Sequence, residues 1–169
     1  MDIQALADRQ AITDLIYTYC RSVDRLDVPL GRSIWHEDGQ ADYGPEVYQG
    51  GGRGVIDHVC AQHRHTLLHS HQVSNILIDL NGDRAGSESY VTATLRVMRG
   101  EKLLQMSVWS RYVDSWSRRD GRWGLDKRLA IRDFDEIREV TAMYHHETGT
   151  RDSSDPSYAV LTGLIGDRR

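Results

Sequence analysis

No stretch of this sequence approaches the roughly 20 consecutive apolar residues that cross a bilayer, so no helical membrane span is expected. Met1, Asp2, Ile3 and Gln4 contain neither a basic cluster nor an apolar run, and they do not read as a secretory signal. Cysteine is scarce, with only Cys20 and Cys60 present. Two thiols without a signal point to reduced side chains in a cytoplasmic protein, not to a disulfide framework. Cys20 falls on the apolar side of a helical pattern, where a small buried residue is the plain expectation. An excess of basic charge is also missing. The formal net charge is -4, with acids and bases intermixed. That excludes the concentrated basic face that nucleic acid requires.

Familiar cofactor motifs are incomplete. The glycine run from Gly50 to Gly54 lacks the Gly-Lys-Ser/Thr ending of a phosphate loop, and Val55 stands where a dinucleotide fingerprint has glycine. A tight strand-to-helix turn is the simpler expectation. Histidines crowd one region, at His58, His63, His65, His69 and His71. There is no HExxH motif, and no cysteine or carboxylate stands at a metal-ligand spacing nearby. Neither a metal nor a cofactor is expected.

The chain has 169 residues, 39% of them hydrophobic and 27% charged. That suits one soluble domain with some extra chain, and it allows a core with a pocket cut into it. Leu6, Ile12, Leu15, Ile16, Tyr19, Cys20 and Val23 recur at helical spacing, so residues 3–23 are expected to form one long helix capped by Asp2. A short helix is expected over 29–36, with Pro29 in its first turn. Short strands at 40–43 and 47–48 would flank a turn at Gly44 and Pro45, and a third helix would cover 55–67.

The period then changes to two. Residues 72–80, 84–98, 102–116 and 123–134 alternate, with hairpin signals at Asn81-Gly82-Asp83, Arg99-Gly100-Glu101 and Arg119-Asp120-Gly121. Helices followed by an antiparallel meander define an α+β chain. Residues 1–140 are expected to form the domain. Periodicity fades afterwards, and 141–169 is expected to be a loop or partly ordered tail.

Three helices and four long strands resemble the nuclear transport factor 2-like cone, in its SnoaL-like branch. The segment Tyr112-Val-Asp-Ser-Trp116, followed by Arg118-Arg-Asp-Gly-Arg-Trp123, is similar to that family's third strand, hairpin and fourth strand. Asn75 to Asp83 is similar to its first hairpin. The resemblance spans residues 3–138 and implies a strongly curved, mostly antiparallel sheet with helices packed on it. This fold hosts enzymes, binding modules and accessory subunits alike.

Within the family, the chain is most similar to cofactor-independent eliminating enzymes: hexachlorocyclohexane dehydrochlorinase, scytalone dehydratase and bile-acid 7α-dehydratase. The resemblance places Asp24 at their aspartate after the first helix. It places His71, four residues before Asn75, at their strand-opening histidine. Tyr19 is similar to a catalytic tyrosine. One departure is that the strand spanning Val91 to Val97 has no histidine where scytalone dehydratase carries a second one.

The residues themselves allow plainer roles. Asp24 follows a helix whose C-terminal dipole disfavours a carboxylate, though a loop aspartate can simply bond backbone. Alternation puts His69 and His71 on one face, so spacing alone does not choose between them. Trp35, Tyr43, Tyr48, Trp109 and Tyr112 are candidates for an aromatic pocket, and aromatic residues are also common in cores. Tyr112 and Trp109 lie an odd number of positions apart and should face opposite ways. Family placement favours Tyr112. Arg132 is either an anion contact or a rim salt bridge.

The expected chemistry follows from the resemblance. His71 would remove a proton, Asp24 would orient it, and Tyr19 or Tyr112 would hold a departing oxygen. The substrate would be a hydrophobic cyclic or aromatic small molecule. The same groups would serve an isomerase, a cyclase or an aldehyde-releasing lyase. A non-catalytic binding or small-subunit scaffold is the alternative of another class. Association into a dimer or trimer through the outer sheet face is expected, with Trp109 or Trp116 exposed there depending on register.

Overall fold

The computed structural model describes residues 2–145 and 149–165. The first helix, α1 (Ile3–Asp24), begins where the Asp2 carboxylate accepts the Gln4 N–H at 3.0 Å. Its buried stripe is Ile12, Ile16, Tyr19, Cys20 and Val23, all at helical spacing. Each large apolar side chain buried there stabilises the fold by about 1.5–3 kcal/mol. The helix ends at Arg25, and Leu26 turns the chain with φ 54°. Asp27 then caps α2 (Val28–Ser33), accepting from Leu30 N at 3.1 Å.

The expected helix over 29–36 stops early because Trp35 and His36 belong to β1 (Trp35–Asp42). That strand runs parallel to β6 (Arg122–Glu139), a partner almost ninety residues away that local pattern cannot reveal. β2 is Gln49–Gly51, and α3 is Gly52–His63. The third helix ends four residues before the expected position. The Thr66 hydroxyl donates to the His63 carbonyl at 2.8 Å, and Leu67 N donates to Arg96 O at 2.8 Å, which starts the next strand. The glycine run serves close packing. A Cβ on Gly52 would fall inside the Trp35 ring, and one on Gly54 would strike the Tyr48 hydroxyl.

β3 (Leu68–Asn81), β4 (Arg84–Arg99), β5 (Lys102–Arg119) and β6 form the expected antiparallel meander. The six-stranded sheet has the order β2-β1-β6-β5-β4-β3 and does not close. Bulges bend it at Ser74/Leu77, Trp109/Ser110 and Ser115/Trp116. Asn75, with φ 50°, occupies the first of these, a conformation asparagine tolerates. β6 runs five residues past the expected end. Its extra residues are exposed on both faces, so their pairing with β5 leaves no apolar period to detect.

The three helices cover the concave face of this α+β cone. Tyr112, Asp114 and Trp116 point inward along β5, so Trp116 is buried in the core. Trp109 points outward and stacks on Phe134 at 4.8 Å between ring centroids. After β6 the chain returns towards the helices, with short turns of helix at Ser157–Val160 and Thr162–Ile165. Among the described residues no helix is long and apolar enough to cross a membrane.

Candidate active site

Asp24 is the last residue of α1, where the negative end of the helix dipole disfavours a carboxylate. His71 supplies the compensation. Its backbone N–H lies 3.1 and 3.0 Å from the two carboxylate oxygens, and its ring Nδ1 is 2.7 Å from Oδ1. Both side chains are largely buried. A carboxylate only accepts, so Nδ1 carries the proton and donates it to Asp24. Nε2 is then a lone pair at the far end of the ring. No described residue bonds to it, and His71 forms part of a cavity wall.

That cavity has a volume of about 700 Å³. Val59, Ala93, Leu95, Met106, Val108 and Ala130 make most of it apolar. Gly44, Pro45, Glu46 and Val47, from the turn after β1, form one rim. A mostly apolar hollow with a few polar groups is suited to a small organic molecule.

Tyr19, Tyr43 and Tyr112 make the aromatic wall. The Tyr19 and Tyr43 hydroxyls are 2.6 Å apart, and Tyr19 meets Tyr112 edge-on at 5.5 Å. One hydrogen bond uses one of the two phenolic protons, so the other is free to be donated into the cavity. Burial pushes the Tyr19 and Tyr112 phenols well above the usual range, and Tyr43 upwards too. All three stay protonated donors.

Behind this wall lies a pair that the sequence analysis did not single out. Arg128 and Asp114 have fully buried side chains joined by two hydrogen bonds of 2.8 and 2.7 Å. The Arg128 guanidinium is packed between the rings of Tyr19 and Tyr112, 4.2 and 3.8 Å from their centroids. Burial opposes its charge most strongly, but Asp114, Tyr43 and Tyr19 together outweigh burial and keep it protonated. Its Nη1 has no hydrogen-bond partner among the described residues. The sequence carried half of the signal, since Asp114 alternates with Tyr112 and Trp116; the bulge at Ser115/Trp116 is what sets Arg128 opposite it across the ladder.

Two expected pocket residues lie elsewhere. Trp35 is 0% exposed and sits in the core, held there by the missing side chain of Gly52. Tyr48 lies outside the cavity. Its ring packs 5.4 Å from His58, and its hydroxyl donates to Gly51 O at 3.0 Å. Arg132 reaches the cavity at its rim, between Glu46 at 4.0 Å and Asp135 at 3.8 Å, with more than half its side chain exposed.

The structure also separates His69 from His71. The His69 Nε2 lies 3.1 Å from the Val23 carbonyl, which can only accept. Its Nδ1 faces Thr66 Oγ1 at 3.0 Å and Arg151 Nη1 at 3.3 Å. Both nitrogens are committed to the protein, so of these two histidines His71 is the one open to the cavity, whose wall His63 also lines.

His63 was not singled out either. Its ring stacks on His71 at 5.4 Å and touches His69 at 4.5 Å. Among the described residues no group of three or more His, Cys, Asp or Glu side chains is arranged to hold a metal ion. Burial, then His71, His69 and Arg151, hold His63 down to about 3. The unfolded chain takes up this proton near the ordinary value of 6.5, and the folded chain refuses it until about 3. Stability is therefore intact above pH 6.5 and is lost as pH falls from there towards 3. The loss is at most about 1.4 kcal/mol per pH unit for this ring. Denaturant melts at pH 7 and pH 5 should show it, and His63→Leu should lose less between the two. An equal loss in both proteins would contradict this assignment.

The comparisons with known proteins agree with the fold. A candidate scytalone dehydratase from Novosphingobium aromaticivorans superposes with a TM-score of 0.71 at 20% identity, covering 87% of this chain and 100% of that one. A type 3 hexachlorocyclohexane dehydrochlorinase from Novosphingobium barchaimii gives 0.70 at 20% identity, covering 88% and 100%. A Mycobacterium tuberculosis protein of unknown function gives 0.65 at 20% identity, covering 98% and 91%. No curated protein matches the sequence. The model of the SnoaL-like domain matches residues 4–129, and by that match the chain belongs to the SnoaL-like domain family.

Proposed function

We propose that this protein is a cofactor-independent lyase or dehydratase acting on a hydrophobic cyclic or aromatic small molecule. The observation that carries this is the 2.7 Å Asp24–His71 contact at the wall of an apolar cavity of about 700 Å³. The enzymes of similar fold, a dehydratase and a dehydrochlorinase, support the same class of reaction.

In this mechanism His71 Nε2 removes a proton from the carbon next to the one bearing the leaving group. That C–H electron pair becomes the new double bond as the carbon–oxygen or carbon–halogen bond breaks. Asp24 holds the ring in the required tautomer and stabilises the imidazolium. The free proton of the Tyr19–Tyr43 pair hydrogen-bonds the departing group, and Arg128 behind the rings offsets its negative charge. A departing hydroxide leaves as water once it takes a proton, and His71 gives up its own to reset the site. Removal and return of a proton equally suit a double-bond isomerase, a polyketide-type cyclase or an aldehyde-releasing aromatic-diol lyase.

The test is incubation with a panel of aromatic alcohols, halides and diols with no cofactor added, followed by mass spectrometry. Loss of water or hydrogen halide is the expected result. A panel member that binds but is never transformed would favour the binding-subunit alternative instead.

The outer sheet face supports self-association as a homodimer or homotrimer. Phe134 is 60% and Tyr90 44% exposed there. Trp109 and Leu129 extend the same apolar surface around the ion cluster of Arg111 with Glu88 and Asp133. Light scattering at micromolar concentration should give a mass above one chain, and Phe134→Glu should reduce it. A monomer under those conditions would refute the proposal.

A further inference from the structure

The chain returns from β6 to lie against the ends of α1 and α3. Asp155 is 3.4 Å from Arg25, and Tyr158 donates its hydroxyl to Asp27 at 2.9 Å. Arg21 donates to Ser157 Oγ at 3.1 Å, and its guanidinium lies 4.8 Å over the Tyr158 ring. All of these contacts fall on residues 21–27, which bracket Asp24.

Arg151 adds the second set. Its Nη1 is 2.9 Å from the His63 carbonyl and 3.3 Å from both Thr66 Oγ1 and His69 Nδ1. The donors and acceptors here are determined. The Val23 carbonyl accepts only, so His69 Nε2 carries the proton that bonds it at 3.1 Å. Nδ1 is therefore a lone pair. The Thr66 hydroxyl 3.0 Å from it spends its one proton on the His63 carbonyl at 2.8 Å, which leaves the guanidinium of Arg151, a donor only, to satisfy Nδ1. A continuous path runs from Arg151 through His69 to the carbonyl of Val23, the residue before Asp24.

We propose that Arg151 is a positioning residue of this active site: by donating to Nδ1 it holds His69 in the tautomer that bonds the Val23 carbonyl, and thereby sets the end of α1, with Asp24, against His71. This rests on Asp24 and His71 being the working pair. Burial opposes charge on the His69 ring, the Val23 carbonyl and Asp24 favour it, His71 and Arg151 oppose it, and the His63 ring packs against it. Burial is the largest influence and keeps the ring neutral. A plainer role for Arg151 is to cap the last carbonyls of α3. Capping alone would add stability and would leave the His69 tautomer unchanged when Arg151 is removed.

Nuclear magnetic resonance of the full-length, ligand-free protein with ¹⁵N-labelled histidine separates the two. In the wild type, His69 should show one tautomer protonated at Nε2, and the His71 Nδ1 proton should be protected from exchange. Arg151→Gln should mix the His69 tautomers, move its titration to higher pH and broaden the His71 Nδ1 proton signal. Arg151→Lys should restore part of each. With a transformed panel compound, Arg151→Gln should lower kcat by about ten- to a hundred-fold with little change in KM. Unchanged His69 and His71 signals in Arg151→Gln would overturn the proposal, even if its melting temperature falls. A wild type without a protected His71 Nδ1 proton would instead defeat the Asp24–His71 pair itself.

Discussion

His71→Ala and Asp24→Asn are each expected to cut turnover by about a hundred- to ten-thousand-fold with little loss of folding. His71→Ala removes the only lone pair of the pair that faces the cavity. Asp24→Asn keeps the shape but changes the chemistry. An asparagine can turn its NH₂ towards the ring, and Nδ1 would then accept, so that the proton moves to Nε2 where the lone pair is needed. The pair acts as a unit, so the double variant should be little worse than the worse single one. His69→Ala is the informative comparison. Both of its nitrogens are already committed, to the Val23 carbonyl and to Thr66 and Arg151. It should therefore cost at least about ten-fold less in turnover than His71→Ala. Equal damage from His69→Ala would show that the base has been misassigned. No effect from any of the three variants would leave the scaffold alternative, or a mechanism driven by Tyr19. The assay is steady-state kinetics on whichever panel compound is transformed, with circular dichroism to confirm folding.

Asp114→Ala should be the most damaging of the single changes to stability, at about 3–5 kcal/mol. It strands the Arg128 guanidinium, which has 0% side-chain exposure, between two aromatic rings with no counter-charge. For a chain of this size the melting temperature should fall on the order of 10 °C. Replacing both partners, as Asp114→Leu with Arg128→Met, removes the stranded charge and should recover most of the stability. The double variant should still turn over poorly, because Tyr19 and Tyr43 lose the cation behind them. Thermal and denaturant melts of the wild type and the two variants check the first two statements. A loss below about 1 kcal/mol in Asp114→Ala would mean that the arginine finds another partner or reaches water.

Much of this molecule is written in local pattern. The stripe from Ile12 to Val23 determined α1, and the alternation broken at Gly82, Gly100 and Gly121 determined the meander, whose tight turns place those glycines at positive φ. Burial on one face imposes a period, and a period is visible in a single chain. The positions of Asp24 at a helix end and of His71 beside His69 on one strand face followed from the same patterns. Their meeting did not. It depends on how α1 crosses β3, which is decided by packing between residues 47 positions apart.

Tertiary structure alone decided the rest. β1 starts at Trp35 because β6 lies beside it, and Trp35 goes to the core because Gly52 leaves room for its ring. His69 and His71 are equivalent in sequence pattern, and only their surroundings distinguish them: a carbonyl and an arginine for one, a carboxylate and a cavity for the other. Arg128 looks like any strand arginine until the fold buries it against Asp114. Arg151 lies in a segment without periodicity, since its role rests on polar contacts made one at a time. Periodic burial is a property of short segments and can be read from them. Hydrogen-bond partnership and charge pairing across the chain are properties of three-dimensional neighbours, and they exist only once the fold has formed.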